Sequence, residues 1–286
     1  MKAKLALLAA ASATLLAAAP ALADHHEAGK MDHAKHHPMQ HGLMMAAQSE
    51  TRADDKARDQ YRHPIETLAF FQLQPDMKVG EYEPGGGWYS RILAPYLAEK
   101  GQLVGLFRDP SGATSDPARQ EKMRAGVVAF PEYAAGWTGL PGEKFFGYST
   151  DAIPAGEAGT FDRIVIFRMM HHLFRTNTAD SEIKALRSLL KDGGMIGIVQ
   201  HRAKADAPFS YADGNKGYLR EADVIALMEI NGFDFVGKSD INANPKDSAD
   251  HPDGVWEMPP VWRTKREELK DLGESDRMTL LFKKRD

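Results

Sequence analysis

The stretch Met77-Lys-Val-Gly-Glu-Tyr-Glu-Pro-Gly-Gly-Gly-Trp-Tyr-Ser90 constrains the fold more than any other, because it passes from a strand through a glycine corner into a helix. Residues 79–82 are short, partly apolar and bounded by breakers, as a buried strand requires, while Trp88, Tyr89, Ile92, Leu93, Tyr96 and Leu97 recur at helical spacing. Pro84 and Gly85, Gly86 and Gly87 mark the corner. Residues without Cβ let the backbone take unusual dihedrals and let a ligand approach the main chain, with the free N–H groups of the helix start facing it. A cofactor-binding corner is one reading, and a tight turn common to any α/β protein is the other. The dinucleotide pattern G-x-G-x-x-G fails at its third glycine, where Ser90 stands, and no Lys-Ser or Lys-Thr follows for a nucleoside triphosphate.

The rest of the chain alternates strands and helices. Residues 54–73 form a leading helix in two pieces, broken at His63-Pro64-Ile65-Glu66, where proline suits a first helical position. Strands are expected over 102–107, 145–149, 161–168, 195–200, 233–241 and 277–284, with helices over 178–190 and 221–231. Residues 110–144, rich in Gly and Pro, read as irregular apart from a short helix at 117–124, and residues 242–272 as a long polar insertion carrying Trp256 and Trp262. Alternation of this kind predicts a three-layer α/β sandwich. Its Rossmann-like sheet is seven-stranded and mostly parallel, with an antiparallel C-terminal hairpin from the last two strands, between which no helix intervenes.

The glycine corner, the Phe161-Asp162 start of the fourth strand and the Leu190-Lys-Asp-Gly-Gly194 stop resemble class I S-adenosylmethionine-dependent methyltransferases over residues 54–286. Within that family they resemble exported bacterial members whose first motif reads Pro-Gly-Gly-Gly-Trp-Tyr. The resemblance implies S-adenosyl-L-methionine as cofactor, a small-molecule acceptor, and Glu81, Gly85, Gly86 and Gly87 as cofactor-binding residues. It implies that Asp151 meets the adenine amino group, and that an acid ends the second strand to hold the ribose. Phe107 stands there instead, so Asp109 is the candidate to reach back, while Glu83 occupies the usual first-glycine position. His171 and His172 after the fourth strand, and His201 after the fifth, are the acceptor-site candidates, as general bases since an unperturbed histidine titrates near neutral pH. A structural plug at a helix start is the competing reading of the histidine pair. Tyr61, Arg62 and His63 on the leading helix are further candidates for substrate contact, or else mere anchors of that helix.

Residues 1–23 read as a secretory signal, with Lys2 and Lys4, an apolar run over 5–19 and Ala21-Leu22-Ala23 before the cut, so that a mature periplasmic or secreted chain would begin at Asp24. Removing the two lysines from a formal charge of -4 leaves -6, with no basic stripe to attract nucleic acid. The chain has no cysteine, which excludes disulfides, thiolate metal sites and cysteine nucleophiles. Residues 24–50 hold six of the eleven histidines, among them His25, His26, His33, His36, His37 and His41, together with four methionines and no apolar period. They are expected to be disordered, and to be either a loose copper or nickel binder or a solvated linker whose imidazoles take metal adventitiously. Two functions remain open on the sequence: methyl transfer to a small acceptor, and a non-catalytic periplasmic binding or metal-handling module. The cytosolic origin of S-adenosylmethionine and Phe107 favour the second; the glycine corner, Glu81 and Asp151 favour the first.

Overall fold

The computed structural model describes residues 33–286; the expected signal, residues 1–23, and His25, His26 and Met31 lie outside the described residues. In chain order the elements are α1 (His33–Ala47), α2 (Asp59–Arg62), α3 (Pro64–Phe70), β1 (Lys78–Tyr82), α4 (Ser90–Leu97), β2 (Gln102–Phe107), α5 (Pro110–Ala113) and α6 (Pro117–Thr138). There follow β3 (Phe146–Ser149), β4 (Phe161–Phe167), α7 (Met170–Arg175), α8 (Ala179–Leu189), β5 (Leu190–His201), α9 (Phe209–Ala212), α10 (Glu221–Ile230), β6 (Phe233–Ser239) and β7 (Arg277–Lys284).

The strands form one seven-stranded sheet in the order β3-β2-β1-β4-β5-β7-β6. The first five are parallel, and β7 runs antiparallel to both β5 and β6. Side chains alternate across it as a strand's period of two requires. On β4, Val165 and Phe167 join a core with α1, α3, α4 and α6, while Ile164 and Ile166 join one with α7, α8 and α10. This is the expected three-layer sandwich. The chain leaves β1 outward through β2 and β3, then returns to lay β4 on the other side, so the loops after β1 and β4 diverge and open a crevice above their carboxyl ends.

Three expectations are corrected. Of residues 24–50, taken to be disordered, residues 33–47 form α1, whose Leu43, Ala46 and Ala47 are buried, while residues 24–32 lie outside the described residues. Their spacing of three and four is one helical face, and α1 lies so close to α4 that a Cβ on Gly42 would come 3.0 Å from the Tyr96 ring. Residues 117–138, read as mostly irregular, form a 22-residue helix that passes through Pro131. The proline withholds an N–H from the Val127 carbonyl one turn back, and that oxygen packs against β3, where a Cβ on Gly147 would approach it to 2.5 Å. Finally, the glycine stop at 191–194 is an irregular part of β5 itself, with Gly193 at φ 73° and a register shift against β4. No helix among the described residues is long and apolar enough to cross a membrane. If α1 is part of the core, Leu43→Ala should lower the unfolding free energy by about 2–5 kcal/mol in denaturant titration, whereas a tract outside the fold would leave it unchanged.

Candidate active site

Where the loops after β1 and β4 diverge lies a cavity of about 400 Å3, within the roughly 300–1,000 Å3 range of small-molecule sites. One wall is the glycine corner. Gly85 and Gly87 take φ of 60° and 75°, and the Gly87 N–H closes the turn on the Pro84 carbonyl at 3.1 Å. A Cβ on Gly86 would meet nothing within 4 Å, and one on Gly85 only the Glu83 carbonyl at 3.9 Å, so the backbone there is bare to the cavity. Their N–H groups donate to no acceptor among the described residues. Arg91 steadies the corner by donating to the Gly86 carbonyl at 2.9 Å while Asp55 clamps its guanidinium at 2.6 and 2.9 Å. Gly87 does another job. A Cβ there would sit 2.3 Å from the Trp137 ring, so its lack of a side chain serves the packing of α6 rather than the cavity.

Two carboxyl groups flank the bare backbone. Glu81, buried at the end of β1, accepts a 2.6 Å hydrogen bond from Ser90 Oγ, and burial drives its carboxyl up to about 8. Glu83 follows β1 in a left-handed conformation, φ 52°; its Oε1 accepts from the Arg108 N–H at 3.0 Å and its Oε2 has no protein partner. Burial raises this carboxyl as well, against the Arg108 N–H and guanidinium.

The two other expected acids are elsewhere. Asp109 caps α5, accepting from the Ser111 N–H at 2.8 Å and from its hydroxyl, and Asp151 is held by Ser149 and by Arg124 at 2.8 Å. Neither lines the cavity. Phe107, half-buried, packs against the core, its ring edge-on to Phe130 at 5.6 Å. The region between the ends of β1, β2 and β3 is instead bridged by Glu182, which accepts from Tyr82 Oη, the Asp109 N–H and Thr150 Oγ1 at 2.9, 2.9 and 3.1 Å. Nothing in the sequence marked Glu182, since its partners lie 32 to 100 residues away.

Opposite the corner stand His171, His172 and His201, all lining the cavity, with ring centroids 4.2 Å apart for the first pair and 5.7 Å between His171 and His201. Hydrogen bonds fix the tautomers of the first two. Gln200 donates its Nε2 to the Gly217 carbonyl at 2.8 Å, so its Oε1 faces His171 Nδ1 at 3.3 Å as an acceptor; His171 therefore carries its proton on Nδ1 and presents a bare Nε2. On His172 the reverse holds, because Arg175 donates to Nδ1. His201 Nδ1 bonds Ser275 Oγ at 2.6 Å. Burial, then the neighbouring His172 charge, takes His171 down to about 3, and burial with Arg175 takes His172 down to about 4; burial and the His171 charge likewise drive His201 well down. The expectation of bases titrating near neutral pH is thus corrected: all three are neutral imidazoles at pH 7, because each cation would be desolvated beside other cations.

The long insertion supplies the third side of the cavity. Trp256, Met258 and Val261 of the long insertion form an apolar wall, and Arg58, Arg168 and Glu274 lie below. Of the leading-helix candidates, Arg62 is buried against Glu274, at 3.1 and 3.2 Å, while Tyr61 and His63 do not line the cavity. The length of the insertion was the only signal for that wall. Among the described residues no group of three or more His, Cys, Asp or Glu side chains could hold a metal ion, and His41 of the His-rich tract is exposed.

No family model and no curated protein matches the sequence. Among solved structures, a methyltransferase from Aquifex aeolicus that depends on S-adenosylmethionine is similar over 85% of this chain and 97% of its own, at 13% identity and a TM-score of 0.48. Another from Mesorhizobium loti is similar over 77% and 96%, at 13% identity and a TM-score of 0.45. The fold assignment itself rests on the strand order and register above.

Glu81 provides a test through pH. Its folded-state value, about 8, lies above the ordinary 4.5, so the folded chain keeps a proton that the unfolded chain has released. Stability from this group is whole below pH 4.5 and is lost as pH rises through about 8. Glu81→Gln removes the titration, so its Tm relative to the parent should rise steadily between about pH 5 and pH 8.5 in thermal unfolding at fixed salt. A constant offset would show that the carboxyl does not titrate in this way.

Proposed function

We propose that the chain is an S-adenosylmethionine-dependent methyltransferase acting on a small acceptor. The observation that carries the reading is the cavity at the strand-order reversal, where the bare Gly85–Gly86 backbone lies between Glu81 and Glu83 and faces His171. These residues fit the cofactor. Glu81 suits its ammonium end, since a buried carboxyl that is costly to ionise alone becomes an anion readily beside a cation. Glu83 Oε2, bare in the cavity, suits the ribose hydroxyls, the task for which Phe107 is unfit and for which Asp109 has no oxygen turned the right way. Bound sulfonium would supply an electrophilic methyl group. The protein's part is then position and polarity, which hold reactants at attacking distance without covalent chemistry. His171 Nε2 is placed to accept an N–H or O–H from the acceptor; so weak a base orients that donor, and takes its proton only as methyl addition makes the proton acidic.

Calorimetric titration with S-adenosylmethionine and S-adenosylhomocysteine tests the reading. Both should bind, and Glu83→Gln, which keeps the bond from the Arg108 N–H while removing the charge, should weaken both by about tenfold, the difference expected between a charge-assisted and a neutral hydrogen bond. No heat from either ligand at millimolar concentration would end the proposal. The reading extends to an exported protein, on the strength of Lys2, Lys4, the apolar run and the Ala-Leu-Ala cut site. A mature N-terminus at Asp24, read by mass spectrometry of the protein from its native cell, is the expected result, and an intact Met1 the contrary one.

A further inference from the structure

Below the histidines the cavity carries more positive charge than the protein neutralises. Glu274 accepts from Arg58 Nε at 2.6 Å, from Arg62 Nε at 3.1 and 3.2 Å, and from Arg277 Nη1 at 3.2 Å, so one carboxylate serves three guanidinium groups. Arg168, the residue after β4, is a fourth. Its N–H is tied to the Val199 carbonyl at 2.7 Å and its φ is 59°, but its guanidinium makes no hydrogen bond among the described residues although it lines the cavity. Other carboxylates nearby have partners of their own: Asp276, whose charge also reaches Arg277, holds Arg202 at 2.9 and 3.1 Å, Asp59 holds Arg52, and Asp55 holds Arg91. Arg168 thus stands beside Arg62 and Arg277 with Glu274, already shared by three guanidinium groups, as the carboxylate that acts on it.

Buried donors are in surplus as well. Arg62 is 1% exposed, yet both its Nη atoms lack a partner, as do Arg58 Nη2 and Arg277 Nε. The Tyr89 hydroxyl, set among Arg62, Arg277 and Arg168, also lines the cavity without a protein partner. Burial raises that phenol, so it stays a neutral donor, and burial with the charges of Arg62 and Arg277 draws Arg168 to about 9, which leaves it charged at neutral pH. Unpaired buried guanidinium groups are costly. An anion from solution would offset that cost, and a planar two-oxygen group matches the fork of an arginine with one phenol beside it. The surrounding wall of Phe167, Trp256 and Met258 is largely apolar and suits an apolar body behind the anion.

We propose that Arg168 and Tyr89 bind the carboxylate of the methyl acceptor, which is therefore a small, partly apolar carboxylic acid lying against Trp256. The acceptor role rests on the function proposed above; the carboxylate site does not. The test is calorimetry on the full chain with benzoate and with benzamide, its uncharged counterpart, each with and without S-adenosylhomocysteine. The parent should prefer benzoate by at least about tenfold. Arg168→Gln should abolish that preference and leave S-adenosylhomocysteine affinity within about threefold. Tyr89→Phe, which deletes one hydroxyl, should weaken benzoate several-fold and serves if the arginine variant does not fold. Equal binding of benzoate and benzamide by the parent overturns the proposal. So does a loss of S-adenosylhomocysteine affinity in Arg168→Gln as large as the loss for benzoate, because Arg168 would then hold the cofactor's own carboxylate. Arg168-dependent benzoate binding in a chain that never binds S-adenosylhomocysteine would keep the acid site and end the methyltransferase reading. If the parent binds none of these ligands, both fall.

Discussion

Glu274 is the anion on which the cavity floor depends. It joins Arg58 and Arg62, in the leading segment before the sheet, to Arg277 at the start of the last strand, across more than 200 residues of chain. Removing one partner from such a buried cluster typically costs about 3–5 kcal/mol, because the remaining charges stay desolvated. The effect reaches the glycine corner through Trp88, whose ring lies beneath Arg62 at 4.6 Å and Arg52 at 4.9 Å. Cation–π contacts on the first aromatic residue after the glycines thus link the corner to the ion cluster.

The cavity is consequently lined by charges of both signs. Its lining combines Glu81 and Glu83 beside the bare backbone after β1, Arg168 after β4, Arg58 with Glu274, and the neutral imidazoles of His171, His172 and His201. A site so arranged works by orienting charge more than by moving protons, since His171 and His172 are too weakly basic to hold a proton at neutral pH. Gln200, fully buried between the His171 ring and the Gly217 carbonyl, then sets which imidazole nitrogen faces the ligand.

Much of this was legible in the sequence because local pattern and global topology agree. The second and last strands occupy the predicted residues, 102–107 and 277–284, and the break at His63-Pro64 falls where α2 ends and α3 begins. Failures came where tertiary contacts overrule local preference. The glycines and proline of residues 125–138 argued against a helix there, but Phe130 and Ala134 are buried by packing on the sheet. Asp109 and Asp151 looked free until Ser111, Ser149 and Arg124 were seen to compete for them. Arg168 and Glu274 carried no motif at all; their meaning lies in an imbalance of charge that exists only after distant segments meet.

The left-handed backbone at Glu83 has a further consequence. A residue with a Cβ is held there against its own conformational preference, at about 1–2 kcal/mol relative to a residue free of that restraint. Glycine would relax the main chain and simultaneously delete the carboxylate from the cavity. Stability and ligand recognition therefore pull this one backbone position in opposite directions, and a screen that rewarded thermal resistance alone would be expected to discard the carboxylate first.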